Sequence, residues 1–388
     1  VSRKKILVLS HAGVLEVNRA VFQELARLFE VDVTMVVPRE WRGDLISDLR
    51  FEPREGDRPL RVFPLPVAFS GNGSLFFYRS SLRHVLAGWE PDLVFLDEEP
   101  WSLAALQTFL EFPRATIWFF TKENLDKTIP WPFSSLRQWV YRRAAGAFAV
   151  SDEVEQVLRV KGFRANIQRL HHSYDPALFN ARSEGEKQRI RDEFGIPRNA
   201  VVIGYFGRLT VEKGLLDLTS ALQLLVREAE LPPWFFCCVG AGRAEQATKR
   251  ALASLPTSQY LMLGAISHDR VGSLLSAIDV LVLPSRTTSR WKEQFGRILV
   301  EAMACGAAVV GSDSGEIPHL IRRSGGGLVF REGQVSELAA CLVRLLREPV
   351  LLEQCRAEGR RHVEQKLTHA TVGRELGEKL RASIASKS

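Results

Sequence analysis

The chain has 388 residues, 46% of them hydrophobic and 25% charged, with a formal net charge of +7. These are globular proportions at a length sufficient for two domains, which excludes a disordered chain and a lone small core. The positive balance suits an anionic substrate or surface, or is simply spread over the molecule, and no nucleic-acid-binding motif accompanies it.

The apolar run at 6–10 predicts a strand, 11–28 a helix with Val17, Val21, Leu25 and Leu28 on one face, and 31–38 a second strand. That opening marks a parallel sheet with crossover helices. The alternation continues with helices over 82–89, 103–112, 135–145 and 153–161, and strands over 93–96, 116–120 and 147–150. Segment 71–83 mixes aromatics with arginine. It reads as a helix packed on the first sheet through Leu75, Tyr78 and Leu82, or as a contact for a membrane or lipid-linked acceptor. Residues 171–199 break the rhythm as a linker and a polar helix. A second α/β series follows, with strands at 201–206, 234–239, 260–263, 280–283 and 308–311, and then a helical segment from 335 onward.

Cys237, Cys238, Cys305, Cys341 and Cys355 lack metal-ligand spacing and read as reduced thiols, which sets a cytoplasmic expectation. The run behind Lys4 and Lys5 is too short for a leader, and no run approaches the length of a membrane span.

Three places carry candidate chemistry. Gly207-Arg-Leu-Thr-Val-Glu-Lys-Gly214 directly follows a strand, where open α/β sheets bind ligands. Arg208 and Lys213 there are cations suited to a diphosphate, against the plain alternative of a solvated basic pair. In Trp291-Lys-Glu-Gln-Phe-Gly-Arg-Ile-Leu-Val-Glu-Ala-Met-Ala-Cys-Gly306, a polar loop becomes a helix former. Glu293 and Glu301 converge on one ligand only if Glu293 lies in the loop and the helix starts near Gly296. A helix start there would aim amides at an anion, between two acids able to accept hydroxyl hydrogen bonds. The third place is the carboxyl edge of the first sheet. His11 follows the first strand, with Gly13, Asn18 and Arg19 behind it. Asp97-Glu98-Glu99-Pro100 either orients acceptor hydroxyls or merely begins a helix.

The 207–214 and 293–306 stretches, with Val239-Gly-Ala-Gly242, Val282-Leu-Pro-Ser285 and Ser312-Asp-Ser-Gly-Glu-Ile-Pro318, resemble the donor site of retaining glycosyltransferases of family 4. The resemblance implies the GT-B fold, two Rossmann-like domains facing across a cleft. It implies an acceptor domain at 1–170, a linker and leading helix at 171–199, a donor domain at 200–366, and a C-terminal helix at 367–388 returning to the first domain. It assigns Gly207, Arg208 and Lys213 to the donor diphosphate and Glu293 to sugar hydroxyls, beside the backbone of Gln294, Phe295 and Gly296. The Ile298 and Leu299 amides would face a phosphate, Glu301 the ribose, and Gly264, Ala265 and Ile266 the base.

The donor implied is a UDP- or GDP-sugar, with no cofactor or metal. The acceptor is the hydroxyl of a glycan, a lipid-linked or a small molecule in polysaccharide, glycolipid or glycoconjugate assembly. Retention would follow from front-face attack, the departing phosphate oxygen taking the acceptor's proton. Two departures stand out. Ser10-His-Ala-Gly13 replaces the family's Gly-Gly loop, and 116–124 lacks its histidine, leaving Glu123 and Asn124 as candidates in that place. A non-catalytic nucleotide-sugar-binding subunit is the alternative reading. A nicotinamide-dependent oxidoreductase ranks below both, since Gly240-Ala-Gly242 lacks the third glycine of that fingerprint.

Overall fold

The structure, a computed structural model, describes residues 3–43, 48–53 and 59–385. It divides into two compact units, residues 1–173 with 369–388, and residues 174–368.

The first unit is built on seven parallel strands: β1 (Lys4–Ser10), β2 (Val31–Pro38), β3 (Arg61–Leu65), β4 (Leu93–Asp97), β5 (Thr116–Thr121), β6 (Gly146–Ala149) and β7 (Asn166–Arg169). Their order across the sheet is β7-β6-β5-β4-β1-β2-β3. Ile6, Leu7, Val8 and Leu9 of β1 are all buried, as a parallel strand covered on both faces requires. The winding reverses between β1 and β4, and ligands of such sheets bind outside the carboxyl ends of that strand pair.

The helix expected over 11–28 begins only at Ala20. Two 3-10 turns, Ala12–Val14 and Glu16–Asn18, come first. Gly13 is pressed against β2, where a Cβ would lie 2.3 Å from Met35 Cε, so the chain hugs the sheet before it lifts into a helix. The helix Ala20–Leu28 packs on the C-terminal helix His369–Ala385. Glycines 373 and 377, one turn apart, admit that approach: a Cβ would meet Glu24 Cβ at 2.7 Å and the Phe29 ring at 2.2 Å. The helix read into 71–83 is instead a ribbon of Val67–Ala68 against Phe77–Tyr78. Asn72 Oδ1 turns it by accepting the Ser74 and Leu75 amides.

The second unit carries six parallel strands: β8 (Val201–Phe206), β9 (Trp234–Val239), β10 (Tyr260–Leu263), β11 (Val280–Leu283), β12 (Ala308–Ser312) and β13 (Gly327–Phe330). They are ordered β10-β9-β8-β11-β12-β13, a Rossmann arrangement whose reversal falls between β8 and β11. The helix Glu184–Phe194 belongs to this unit. It is tied to the sheet by Asp279, which accepts from Lys187 at 2.5 Å, Arg191 at 2.6 Å and the Val202 amide at 2.8 Å. Among the described residues no helix is long and apolar enough to cross a membrane.

Candidate active site

The reversal point of the second sheet gathers the side chains that the two basic and acidic stretches supply. The loops after β8 and β9 are laced together. Gly207 N–H donates to Val239 O at 3.0 Å and Leu209 N–H to Ala241 O at 2.9 Å. Tyr205 Oη donates to Arg208 O at 2.7 Å, fixing the Arg208 backbone while its guanidinium stays exposed. A 3-10 turn over Val211–Lys213 ends at Gly214, whose φ of +66° is left-handed. A Cβ on Gly214 would stand 1.8 Å from Pro284 O, so the turn lies directly on the end of β11.

That contact delivers Lys213 to Glu293. Lys213 Nζ lies 2.7 Å from Glu293 Oε2, and Ser285 Oγ donates to the same oxygen at 2.9 Å. The Trp291 ring sits 4.7 Å from the ammonium, a cation–π contact that completes its seat. Glu293 is buried, and its carbonyl accepts the Glu316 amide at 3.3 Å. Ser285 and Trp291 fall within the motifs quoted from the sequence but were given no role there, although Ser285 stands two residues past the end of β11.

The helix Arg297–Ala304 starts behind Gly296, left-handed at φ +79°. Leu299 N–H, expected to face a phosphate, instead donates to Gly296 O at 2.9 Å, because the first turn closes tightly on itself. The amides that open the helix ahead of it are those of Arg297 and Ile298. Gln294 is exposed and Phe295 is buried as an anchor for the loop. Glu301 is buried at 6% exposure, and no described residue donates a hydrogen bond to its carboxyl. Burial pushes its pKa up to about 7, against the pull of Arg297. Gly264 and Ala265 are exposed, and Ile266 is half-buried, just past β10.

A second cluster occupies the reversal point of the first sheet. Glu98 follows β4 and takes hold of His11 twice, through the backbone amide at 2.6 Å and Nδ1 at 2.7 Å. The imidazole packs on Trp41 and Phe76, with ring centroids 4.7 and 5.7 Å away, and those two rings also touch each other. Beside it Asp97 accepts from Ser10 Oγ and Lys122 Nζ, both at 2.7 Å. Glu99 accepts Thr121 Oγ1 at 2.5 Å and the Lys122 amide at 3.1 Å. Burial lifts the Glu99 pKa to about 7, opposed by those two hydrogen bonds. Lys122 and Ser10 were not singled out from the sequence, yet each stands at the carboxyl end of a strand.

The five remaining first-unit candidates brace loops or are buried within them. Arg19, 1% exposed, donates to the carbonyls of Gly13, Val14 and Glu52 and stacks on Phe51. Asn18 Nδ2 donates to Ala12 O at 2.8 Å, and Gly13 is buried against β2. Glu123 accepts the Leu125 amide at 3.1 Å and Lys127 at 3.2 Å, while Asn124 is buried. Among the described residues, no three His, Cys, Asp or Glu side chains are grouped to hold a metal ion.

Comparison with known proteins agrees with both units. The profile of glycosyl transferases group 1 matches residues 186–362, and that of the glycosyl transferase 4-like domain matches residues 12–172. The chain belongs to the family 4 glycosyltransferases of GT-B fold. It is 30% identical over 230 residues to the 2-deoxystreptamine glucosyltransferase of Streptomyces kanamyceticus, covering 58% of this chain and 57% of that one. It is 29% identical over 217 residues to the GDP-mannose-dependent monoacylated alpha-(1-6)-phosphatidylinositol monomannoside mannosyltransferase of Corynebacterium glutamicum, covering 55% and 56%. The matches thus span little more than half the length of these curated relatives. In fold it is similar to the sucrose-phosphate synthase of Thermosynechococcus elongatus (TM-score 0.74, 18% identity, 99% of this chain and 100% of the other). It is likewise similar to Anabaena HepE in complex with UDP (TM-score 0.73, 19% identity, 98% and 100%).

Proposed function

We propose that this chain transfers a sugar from a UDP- or GDP-linked donor to a hydroxyl acceptor, with retention at the anomeric carbon and without a metal. Glu301 carries the reading. A buried carboxyl that no described residue satisfies costs stability unless a ligand supplies donors, and the vicinal hydroxyls of a ribose do so. Arg208, Lys213 and the start of helix Arg297–Ala304 then surround the neighbouring diphosphate. As the bond to the sugar breaks, negative charge grows on that diphosphate, and fixed cations and amides stabilise the growing charge most. Glu293, already pinned by Lys213 and Ser285, presents its carboxylate to the sugar hydroxyls. The names of the relatives support donor and acceptor classes: GDP-mannose and UDP on one side, 2-deoxystreptamine or a phosphatidylinositol mannoside on the other.

A thermal-shift screen with UDP-, GDP- and ADP-sugars tests this. A donor at a hundred times its Kd is expected to stabilise the protein by about 2.7 kcal/mol. No shift with any nucleotide-sugar would overturn the reading. The pH dependence of that binding follows from Glu301. Only the ionised carboxyl accepts two hydroxyl hydrogen bonds, so donor affinity is expected to fall as pH drops through about 7. The limit is about tenfold per pH unit. Calorimetry with UDP-glucose or GDP-mannose between about pH 5.5 and 8.5 measures it, and Glu301→Gln is expected to flatten the curve.

A further inference from the structure

We propose that the first unit holds a second ligand site, where Arg39, Arg42 and Arg79 take the phosphoryl group of a phosphorylated sugar or polyol. Every residue of this site lies in the first unit, so it stands apart from the donor reading above. Its occupant is recognised whether or not a nucleotide is bound in the second unit.

Beyond the carboxyl ends of β2 and β3 the chain adds two short antiparallel ribbons to the sheet. Glu40–Trp41 pairs with Leu49–Arg50, and Val67–Ala68 with Phe77–Tyr78. Residues of both ribbons line a cavity of about 370 Å³, within the range of about 300–1,000 Å³ that small-molecule sites occupy. Hydrogen bonds tie its walls together. Ser70 Oγ accepts the Arg42 amide at 3.0 Å and donates to Glu40 O at 3.1 Å. Arg39 N–H donates to Leu65 O at 2.7 Å, and Arg79 N–H to Pro66 O at 3.0 Å. Gly71, left-handed at φ +89°, closes the turn on Arg42, since a Cβ there would lie 3.0 Å from Arg42 Cβ.

The arginine backbones are thus fixed while their side chains are left without protein partners. All three are exposed, and no described residue ion-pairs with or hydrogen-bonds to their guanidiniums. Three like charges from separate segments around one cavity repel one another unless an anion joins them. The acids in the lining, Glu40 and Asp48, do not cancel that charge. Glu40 Oε1 lies 3.4 Å from Arg50 Nε, a cation outside the lining, and Asp48 is a single exposed carboxylate. Each guanidinium offers paired N–H donors that match phosphoryl oxygens two at a time. Trp41 supplies the other half of the recognition. It is half-buried with its ring packed on His11 and Phe76, a fixed aromatic wall for the apolar face of a sugar or cyclitol ring. A basic cluster that was merely solvated would need neither the cavity nor that wall.

Titration calorimetry of the full chain with glucose 6-phosphate and inositol 1-phosphate tests the assignment, beside glucose and inorganic phosphate, with and without excess UDP. Both phosphorylated ligands are expected to bind saturably, inorganic phosphate more weakly and glucose not at all, whether UDP is present or absent. Arg42→Gln and Arg79→Gln are each expected to weaken that binding about tenfold, with unfolding temperature and UDP affinity unchanged. Trp41→Leu is expected to weaken glucose 6-phosphate but not inorganic phosphate. Vesicles of phosphatidylcholine with and without phosphatidylinositol separate the two sources of such a ligand. Retention on the phosphatidylinositol vesicles that soluble inositol 1-phosphate displaces assigns a lipid headgroup. Soluble binding without retention assigns a free phosphorylated molecule, and either result supports the site. No binding of either phosphorylated ligand, or binding unchanged in the folded arginine variants, would overturn it. Loss of binding under excess UDP would also overturn it, by placing the phosphate in the donor site. A chain that binds these ligands but no nucleotide-sugar would overturn the donor reading alone.

Discussion

Glu293→Ala is expected to reduce sugar transfer by about 10³-fold while leaving a folded protein. The carboxylate has two tasks that alanine ends together. It accepts the sugar's hydroxyls in the proposed complex, and it aims Lys213, whose ammonium lies 2.7 Å from Oε2, at the place where the diphosphate would sit. Freed from Glu293, Lys213 keeps only its Trp291 contact and the reach of its own stem. The stability cost stays near 2 kcal/mol, because both side chains retain some solvent access, 15% for Lys213 and 11% for Glu293. Arg208→Ala provides the contrast. Among the described residues its exposed guanidinium has no hydrogen-bond partner and shares only charge with Glu212, so turnover is expected to fall with little change in unfolding temperature. Single-turnover kinetics with a nucleotide-sugar, beside chemical denaturation, separates the two effects. Parental transfer rates in Glu293→Ala would remove this carboxylate from the site.

These expectations were legible in the second unit because its chemistry sits in two contiguous stretches with backbone demands of their own. Gly214 and Gly296 are left-handed and start or end a turn at the point of function, and the acids flank the second of them at a readable spacing. The partnership of Lys213 with Glu293 spans eighty residues and needed the sheet order to place β8 beside β11. The first unit was harder to read, since His11, Glu98 and Lys122 come from three different strand ends. Each is ordinary in its own neighbourhood, and only packing joins them. Arg19 shows the opposite error. The sequence reads it as a candidate site residue behind His11, but the two 3-10 turns before it leave carbonyls without helical partners, and its guanidinium satisfies two of them. Strands β3, β7 and β13 escaped because edge strands are short and half-exposed; Asn166-Ile-Gln-Arg169 holds a single apolar residue.

Gly315→Ala is expected to do from a distance what Glu293→Ala does directly, at a larger cost in stability. Gly315 has a φ of +58°, where an L side chain is strained by about 1–2 kcal/mol. A Cβ would also stand 1.8 Å from the carbonyl oxygen of Glu293. Neither atom belongs to a flexible side chain, so one backbone must move, which adds about 1–3 kcal/mol. The Glu293 loop is the freer of the two, because the turn at 315 is rooted in buried β12 and in the buried helix residue Ile317. A shift of the loop by even an ångström would pull the Glu293 carboxylate off Ser285 Oγ and Lys213 Nζ. Positioning errors of that size cost about 10²-fold in rate. The predicted signature is therefore combined: destabilisation of about 2–5 kcal/mol together with a drop in kcat that stabilising the fold with excess nucleotide does not restore. Denaturation in the presence and absence of UDP or GDP, paired with turnover, reads both parts. If turnover recovers fully once the protein is held folded, Gly315 serves the fold alone, and the loop's backbone position is not what sets the carboxylate.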